Sequence, residues 1–132
     1  MSLQLSISAR NARLDTIEST VGTTPKLQIR TGAQPADCAT ADSGTLLCEM
    51  TLPSDWLAAA SSGSKAKSGT WSGTASAGGT AAHFRIKDSA GTTCHAQGSV
   101  GQGSGDLQLD NTSIANGQTV TVNSFSLTDG NA

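Results

Sequence analysis

Histidines, cysteines and carboxylates are the residues of this chain whose types could support chemistry, and they are few. The sequence has two histidines, His83 and His95, and three cysteines, Cys38, Cys48 and Cys94. A zinc site needs paired spacings such as CxxC or HxxxH, and none occurs here. Cys94 and His95 are adjacent, so in a strand they would face opposite sides and would not ligate one metal together. We therefore expect no metal site, and we expect the histidines on strand surfaces.

Catalytic and phosphate-binding motifs are also missing from the sequence. It contains neither a GxSxG nucleophile elbow nor a GxxxxGK[ST] phosphate loop. The glycines at 101, 103 and 105 lack the strand-to-helix context of a dinucleotide-binding fingerprint, which favours a hairpin loop. Asp106 and Asp110 share one face of a predicted strand and are interpreted as two solvated acids. We predict that the protein is not an enzyme and has no catalytic or cofactor-binding residues.

Length and charge restrict the partners. A chain of 132 residues is typical of one domain. Charged residues make up 14% of it, against about 25% in an average globular domain, and the net charge is −2. Such a chain has no strong field to attract nucleic acid or an anionic membrane, so we expect no direct contact with either.

The cysteine count and the first residues indicate the compartment. Three cysteines are an odd number, whereas disulfide frameworks of secreted domains usually use even numbers. The N-terminal residues show no basic region followed by an apolar region, as a secretory signal would. We expect free thiols and synthesis in a cytoplasm.

The N-terminal segment is predicted to form the one helix, over residues 6–21. Ser6 is the expected N-cap, and Gly22 stands where a glycine would end the helix. The apolar residues recur near one face at helical spacing: Ile7, Leu14, Ile17 and Val21. The charged residues are expected on the solvated side: Arg10, Arg13, Asp15 and Glu18.

The rest of the chain is predicted to be β. Period-2 alternation and frequent glycine turns indicate a mainly β fold, an antiparallel β-sandwich or jelly-roll-like barrel, after the helix. We divide the chain into an N-terminal helical arm, 1–25, and a β domain, 26–132. The expected core is Leu27, Ile29, Leu46, Met50, Leu52, Trp71, Phe84, Ile86, Leu107, Leu109, Val120, Val122, Phe125 and Leu127.

Several local features of the β domain are also predicted. Residues 66–76 are expected to form one strand around Trp71, and Ser54 begins a short helical turn. Residues 32–44 form a polar loop, and residues 81–87 a strand with one apolar and one polar face. The phase of apolar residues changes within 120–127, which indicates a β-bulge near Asn123.

An ordered set of segments resembles a family of small structural proteins of tailed bacteriophages and prophages. The segments are SARNARLDTI, LQIRTGAQPAD, GTLLCEMTLP, KSGTWSGTASAGGTAAHFRI, DSAG, QGSVG and GDLQLDNTSIANGQTVTVNSFSLT. They cover most of the chain. The resemblance implies a virion component made in the cytoplasm of a host bacterium. It further implies a capsid decoration or cement protein that stabilises the head by bridging capsomers.

Partners follow from this resemblance. We expect the major capsid protein and a second or third copy of this chain as partners, on the outer surface of the virion capsid. Residues 1–21 should find few anchors in their own chain and dock on a neighbouring subunit or on the shell. The candidate partner-binding residues are Leu3, Leu5, Ile7, Arg10, Arg13, Leu14 and Trp56. The alternatives are a tail or head–tail accessory protein, and a virion-displayed β-sandwich module that binds host-surface carbohydrate through Trp56 and Trp71.

Overall fold

The helix begins and ends where its capping residues predict. A computed structural model describes residues 3–129 of the chain, and in it α1 spans Ile7–Val21. The Ser6 hydroxyl accepts a hydrogen bond from the Ala9 amide at 3.0 Å, as an N-cap does. Gly22 follows with φ +91° and donates its amide to Glu18 O at 3.0 Å, which closes the last turn.

After Pro25 the described chain is built from β-strands and turns. The strands are β1 (Lys26–Arg30), β2 (Leu46–Thr51), β3 (Ser64–Ala66), β4 (Ser72–Thr74), β5 (Gly79–Thr80), β6 (His83–Lys87), β7 (Cys94–Gly101), β8 (Leu107–Leu109), β9 (Ser113–Ile114) and β10 (Thr119–Thr128). The main sheet has the order β2-β1-β6-β7-β8-β10-β3, and β4 also pairs with β10. The pairings are antiparallel except that of β7 with β8, which is parallel. The predicted mainly β fold with one N-terminal helix is confirmed.

The sheet curls into a half-barrel because its two ends approach each other. Different parts of β10 pair with β3 and β4, and β4 packs against the other edge strand, β2. A side chain at Gly73 would lie within 2.8 Å of the Met50 Cβ atom, so a glycine is needed where β4 crosses β2. The Ser76 amide donates to Leu47 O at 2.8 Å and links the two edges.

The core is apolar and centred on four aromatic rings. The ring centroids of Trp71 lie 5.9 Å from those of Trp56 and 5.5 Å from those of Phe125, which meets Phe84 edge-on at 5.6 Å. Of the expected core residues, all are buried except Leu46 and Leu127, which are half-buried. The buried apolar residues that the prediction omitted include Leu47, Cys48, Trp56 and Leu57.

Irregular pairing explains where the alternation pattern succeeded and where it did not. The register of β10 against β8 shifts between Val122 and Ser124, which confirms the bulge predicted near Asn123. A second shift, where β2 pairs with Ile29 and Arg30 of β1, turns Leu47 inward and leaves Leu46 half-buried.

Two local predictions are wrong. The expected strand over 66–76 is interrupted, because Gly69 adopts a left-handed φ of +72° and separates β3 from β4. Trp71 lies in the gap, and its ring N–H donates to Ser68 O at 3.1 Å. The segment at Ser54 is a turn without helical hydrogen bonding, although it does carry Trp56 into the core.

Candidate functional site

Helix α1 is anchored on the β domain of its own chain. Leu14 and Val21 are buried. The buried Arg10 guanidinium donates from Nε and Nη2 to the Asp129 carbonyl, at 3.3 and 3.2 Å. Asn11 Oδ1 accepts the Gly63 amide at 2.9 Å. These contacts hold the first two turns of α1 against the ends of β3 and β10.

A buried lysine completes this anchoring. Lys65 in β3 has only 3% of its side chain exposed, and its ammonium lies 2.8 Å from Asp15 Oδ1 and 2.9 Å from Glu18 Oε1. Burial alone would lower the pKa of Lys65, but the hydrogen bonds that its ammonium donates to both carboxylates outweigh burial and raise the pKa above its usual value. The expectation that the N-terminal segment finds few anchors in this chain is therefore wrong for residues 7–21, and residues 1 and 2 lie outside the described chain.

The same N-terminal segment carries the exposed large apolar side chains of residues 3–129. These are Leu3, 73% exposed, Ile7, 56% exposed, and Ile17, 38% exposed, and we call them the N-terminal surface. Isolated exposed leucines are ordinary, but their concentration in one segment marks a candidate contact region. The candidate site is therefore a surface region of the N-terminal segment.

Two shallow cavities lie on either side of Ile17. One has a volume of about 500 Å³ and lies between α1 and the end of β10. The other, of about 160 Å³, lies between α1 and His95 of β7. The first is bordered by the Arg13–Asp129 ion pair, whose Nε and Oδ2 atoms are 3.1 Å apart. Of the three exposed apolar residues, Ile17 borders both cavities, and Leu3 and Ile7 border neither.

The structure places the predicted partner-binding residues in two groups. Leu3, Leu5, Ile7 and Arg13 keep part or most of their side chains exposed, whereas Arg10, Leu14 and Trp56 are buried within this chain. The buried group therefore offers no surface in this conformation, and Arg10 in particular was expected on the solvated side of the helix. The site prediction omitted Ile17, although its helical spacing from Leu14 was the signal that could have included it.

A second concentration of functional groups lies beneath the polar loop, on the outer side of β1 and β6. The polar cluster consists of Arg30, Asp42, Arg85 and Lys87. Asp42 Oδ1 accepts Arg85 Nη1 at 2.6 Å, and its Oδ2 accepts Lys87 Nζ at 2.7 Å and Arg30 Nη2 at 3.2 Å. Loop 32–44 thus supplies one carboxylate to three cations of the sheet.

The charges and hydrogen bonds of the polar cluster indicate that it holds loop 32–44 on the sheet. Partial burial would raise the pKa of Asp42, but hydrogen bonds from Lys87 and Arg85 and the charge of Arg30 outweigh burial and lower the pKa to about 2. Asp42 is therefore ionised at neutral pH and is a poor general acid. Arg85 also donates Nε to Gln97 Oε1 at 3.1 Å and Nη2 to the carbonyls of residues 37 and 38. Its donors hold the loop in place.

The two histidines lie in different surroundings. His83 is 1% exposed, which corrects the expectation of a surface position, because loop 32–44 covers its side of β6. Its Nδ1 lies 3.0 Å from the Gly32 carbonyl, which can only accept, so Nδ1 carries the proton. Its Nε2 has no hydrogen-bond partner within the described chain. His95 is half-buried on the opposite side, next to α1.

The described residues contain no group of metal ligands, and comparisons with known proteins find no match. Within residues 3–129, no three His, Cys, Asp or Glu side chains come together in a group that could hold a metal ion. Over the same residues, no helix has the length and apolarity needed to cross a membrane. Comparison with protein-family models, curated proteins and solved structures finds no match to this chain.

Proposed function

We propose that this protein is a structural component of a tailed-bacteriophage virion, and that it decorates the outer surface of the capsid and bridges capsomers. The proposal starts from the ordered set of sequence segments that resemble this class of proteins. In this role the protein performs no reaction. Its contacts add to those between capsid subunits, so that internal DNA pressure must break both.

The observation that carries the proposal is where the exposed apolar residues lie. In the described chain, the β domain encloses its large apolar side chains, and Leu3, Ile7 and Ile17 of the N-terminal segment remain outside. Helix α1 is anchored by Lys65 and Arg10, so Ile7 and Ile17 are presented in a defined orientation. A preorganised apolar surface loses little entropy on binding, which suits docking on a repeating shell.

We further propose that the protein self-associates as a dimer or trimer in the same role. Homo-oligomers usually adopt closed point-group symmetry, and a dimer or trimer fits the two-fold and three-fold positions of an icosahedral shell. Several weak N-terminal surfaces in one oligomer would bind together, because the first contact raises the effective concentration for the next. The major capsid protein and further copies of this chain are the proposed partners.

The carbohydrate-binding alternative is less well supported by the side chains. Its aromatic candidates were Trp56 and Trp71, which are 1% and 0% exposed and pack against each other in the core. Sugar-stacking platforms need an exposed ring face. A tail or head–tail accessory protein would use the same N-terminal surface, and only its position in the particle distinguishes it from a head protein.

The test is the location and copy number of the protein in purified particles. Quantitative mass spectrometry should find it in hundreds of copies per particle, on the head, and particles lacking it should release DNA at a lower temperature. A few copies confined to the tail, or particles of unchanged heat stability without it, would contradict the cementing role.

A further inference from the structure

Two of the three cysteines line the same cavity. Cys38, in loop 32–44, and Cys94, the first residue of β7, border a pocket of about 310 Å³ at the edge of the polar cluster. Both side chains are partly exposed and both are free thiols. They are close enough that the Cys38 side chain affects the ionisation of Cys94. Cys48 differs, because it is fully buried in the apolar core.

The backbone at both cysteines is held in place. Arg85 Nη2 donates to the carbonyls of Asp37 and Cys38, each at 3.1 Å. Gln97 Nε2 donates to Pro35 O at 2.8 Å, which fixes the start of the same loop on β7. Cys94 is paired with Lys87 across the sheet. The loop therefore presents Cys38 to Cys94 with little freedom on either side.

We propose that Cys38 and Cys94 form a reversible disulfide that locks loop 32–44 onto β7. The oxidant is a small-molecule disulfide of the glutathione type. One protein thiolate attacks a sulfur of that disulfide, its S–S bond breaks, and one small thiol leaves. The second protein thiolate then attacks the mixed disulfide, forms the Cys38–Cys94 bond and releases the second small thiol. Two protein thiols are oxidised, one small disulfide is reduced, and the two protons go to the departing thiols.

The surroundings of Cys94 make its thiol a weak nucleophile at neutral pH. Burial, together with the neighbouring Cys38, raises the pKa of Cys94 to about 11, against the opposing charge of Arg85. Since the thiolate is the nucleophile, the exchange is expected to quicken as pH rises from 7 toward 9. Closure with Cys94 as the attacking thiol is therefore expected to be slow at neutral pH.

The experiment is an oxidation of the full-length protein with oxidised glutathione. Thiol titration of the unfolded product should fall from three free thiols to one, and peptide mapping should find Cys38 joined to Cys94. The oxidised protein should melt about 10 °C higher, since a cross-link of this span restricts the unfolded chain. The Cys38→Ser and Cys94→Ser variants should melt like the reduced wild type and gain nothing on oxidation.

Three results would overturn the proposal. They are the persistence of three free thiols after equilibration, a bond that involves Cys48 or a second molecule, and an intramolecular bond that leaves the melting temperature unchanged. The proposal does not depend on the virion role, because each of these measurements is made on the isolated protein.

Discussion

Helix α1 and loop 32–44 both lie against the outside of the β-strands, and they cover it in different ways. The loop brings one carboxylate, Asp42, to three cations of the sheet, and leaves no large apolar side chain exposed within the described residues. The helix uses ion pairs to Lys65 as well, but keeps Ile7 and Ile17 outside. Both segments are anchored, yet only the helix carries apolar surface that the chain itself does not bury.

This difference distinguishes loop 32–44, which is expected to stabilise the fold, from helix α1, which is expected to contact a partner. Loop 32–44 contains no large apolar side chain, so a second molecule would bury little apolar area there. The N-terminal surface still has apolar area exposed to water, and burying it is worth about 25 cal/mol per Å². We therefore propose a stabilising role for the loop and a partner-binding role for the helix, and each proposal can be tested.

The largest effect is expected from Asp42→Asn. The substitution leaves Arg30, Arg85 and Lys87 close together without a carboxylate, and it should lower the free energy of unfolding by about 3 kcal/mol. Urea denaturation measures this change. Asp110→Asn, at an exposed position, is the matched control and should change stability by less than about 0.5 kcal/mol. Equal effects of the two variants would refute a structural role of the cluster.

Low pH should remove the contribution of ionised Asp42 to the free energy of unfolding. The pKa of Asp42 is about 2 in the folded protein, below its ordinary value of 3.8. A carboxyl group whose pKa is lower in the folded than in the unfolded protein stabilises the folded protein when it is ionised. The stabilisation is therefore complete above about pH 4, and it is lost as the pH falls to about 2. Allowing for solvent screening of this partly exposed carboxyl, the loss is about 1 to 2 kcal/mol. Denaturation curves between pH 5 and 2 should show it in the wild type and not in Asp42→Asn, and parallel curves would contradict the assignment.

A smaller effect is expected where α1 is anchored. Lys65→Met keeps most of the buried side-chain volume but removes the ion pairs to Asp15 and Glu18, which are themselves partly exposed and can be solvated. We expect a loss of about 1 kcal/mol. Lys67→Met, in the same segment, is the control. If Lys65→Met cost as much as Asp42→Asn, the helix would be as integral to stability as the loop.

The ends of the helix and the bulge in the last strand could be predicted from the sequence. Which side chains are buried by segments distant in the sequence could not. Ser6 and Gly22 mark the ends of α1 through neighbouring backbone groups, and the phase change near Asn123 is a local signal of a bulge. The burial of His83 and Arg10 depends on distant residues instead. His83 is covered by a loop about which its own strand carries no information, and Arg10 binds a carbonyl 119 residues away.

The candidate site could likewise be predicted only in part from the sequence. Helical spacing identified an apolar stripe with Ile7 and Leu14, but it could not tell which of its members the β domain would bury. Leu14 faces inward and Ile17 lies at the edge of the contact, because the position of α1 is set by Lys65 and Asp129. Exposure of a stripe residue is therefore a property of the assembled fold.

The most direct test of the account is binding of variants to particles that lack the protein. Ile7→Glu combined with Ile17→Glu puts charge into the N-terminal surface, whereas Ala12→Glu adds charge at an exposed position of α1 away from both isoleucines. Thermal melts of the isolated variants confirm that each is folded. We predict that Ala12→Glu binds in wild-type copy number and that the double variant binds at least about tenfold more weakly. Wild-type occupancy by the double variant would contradict the claim that this surface docks on the shell.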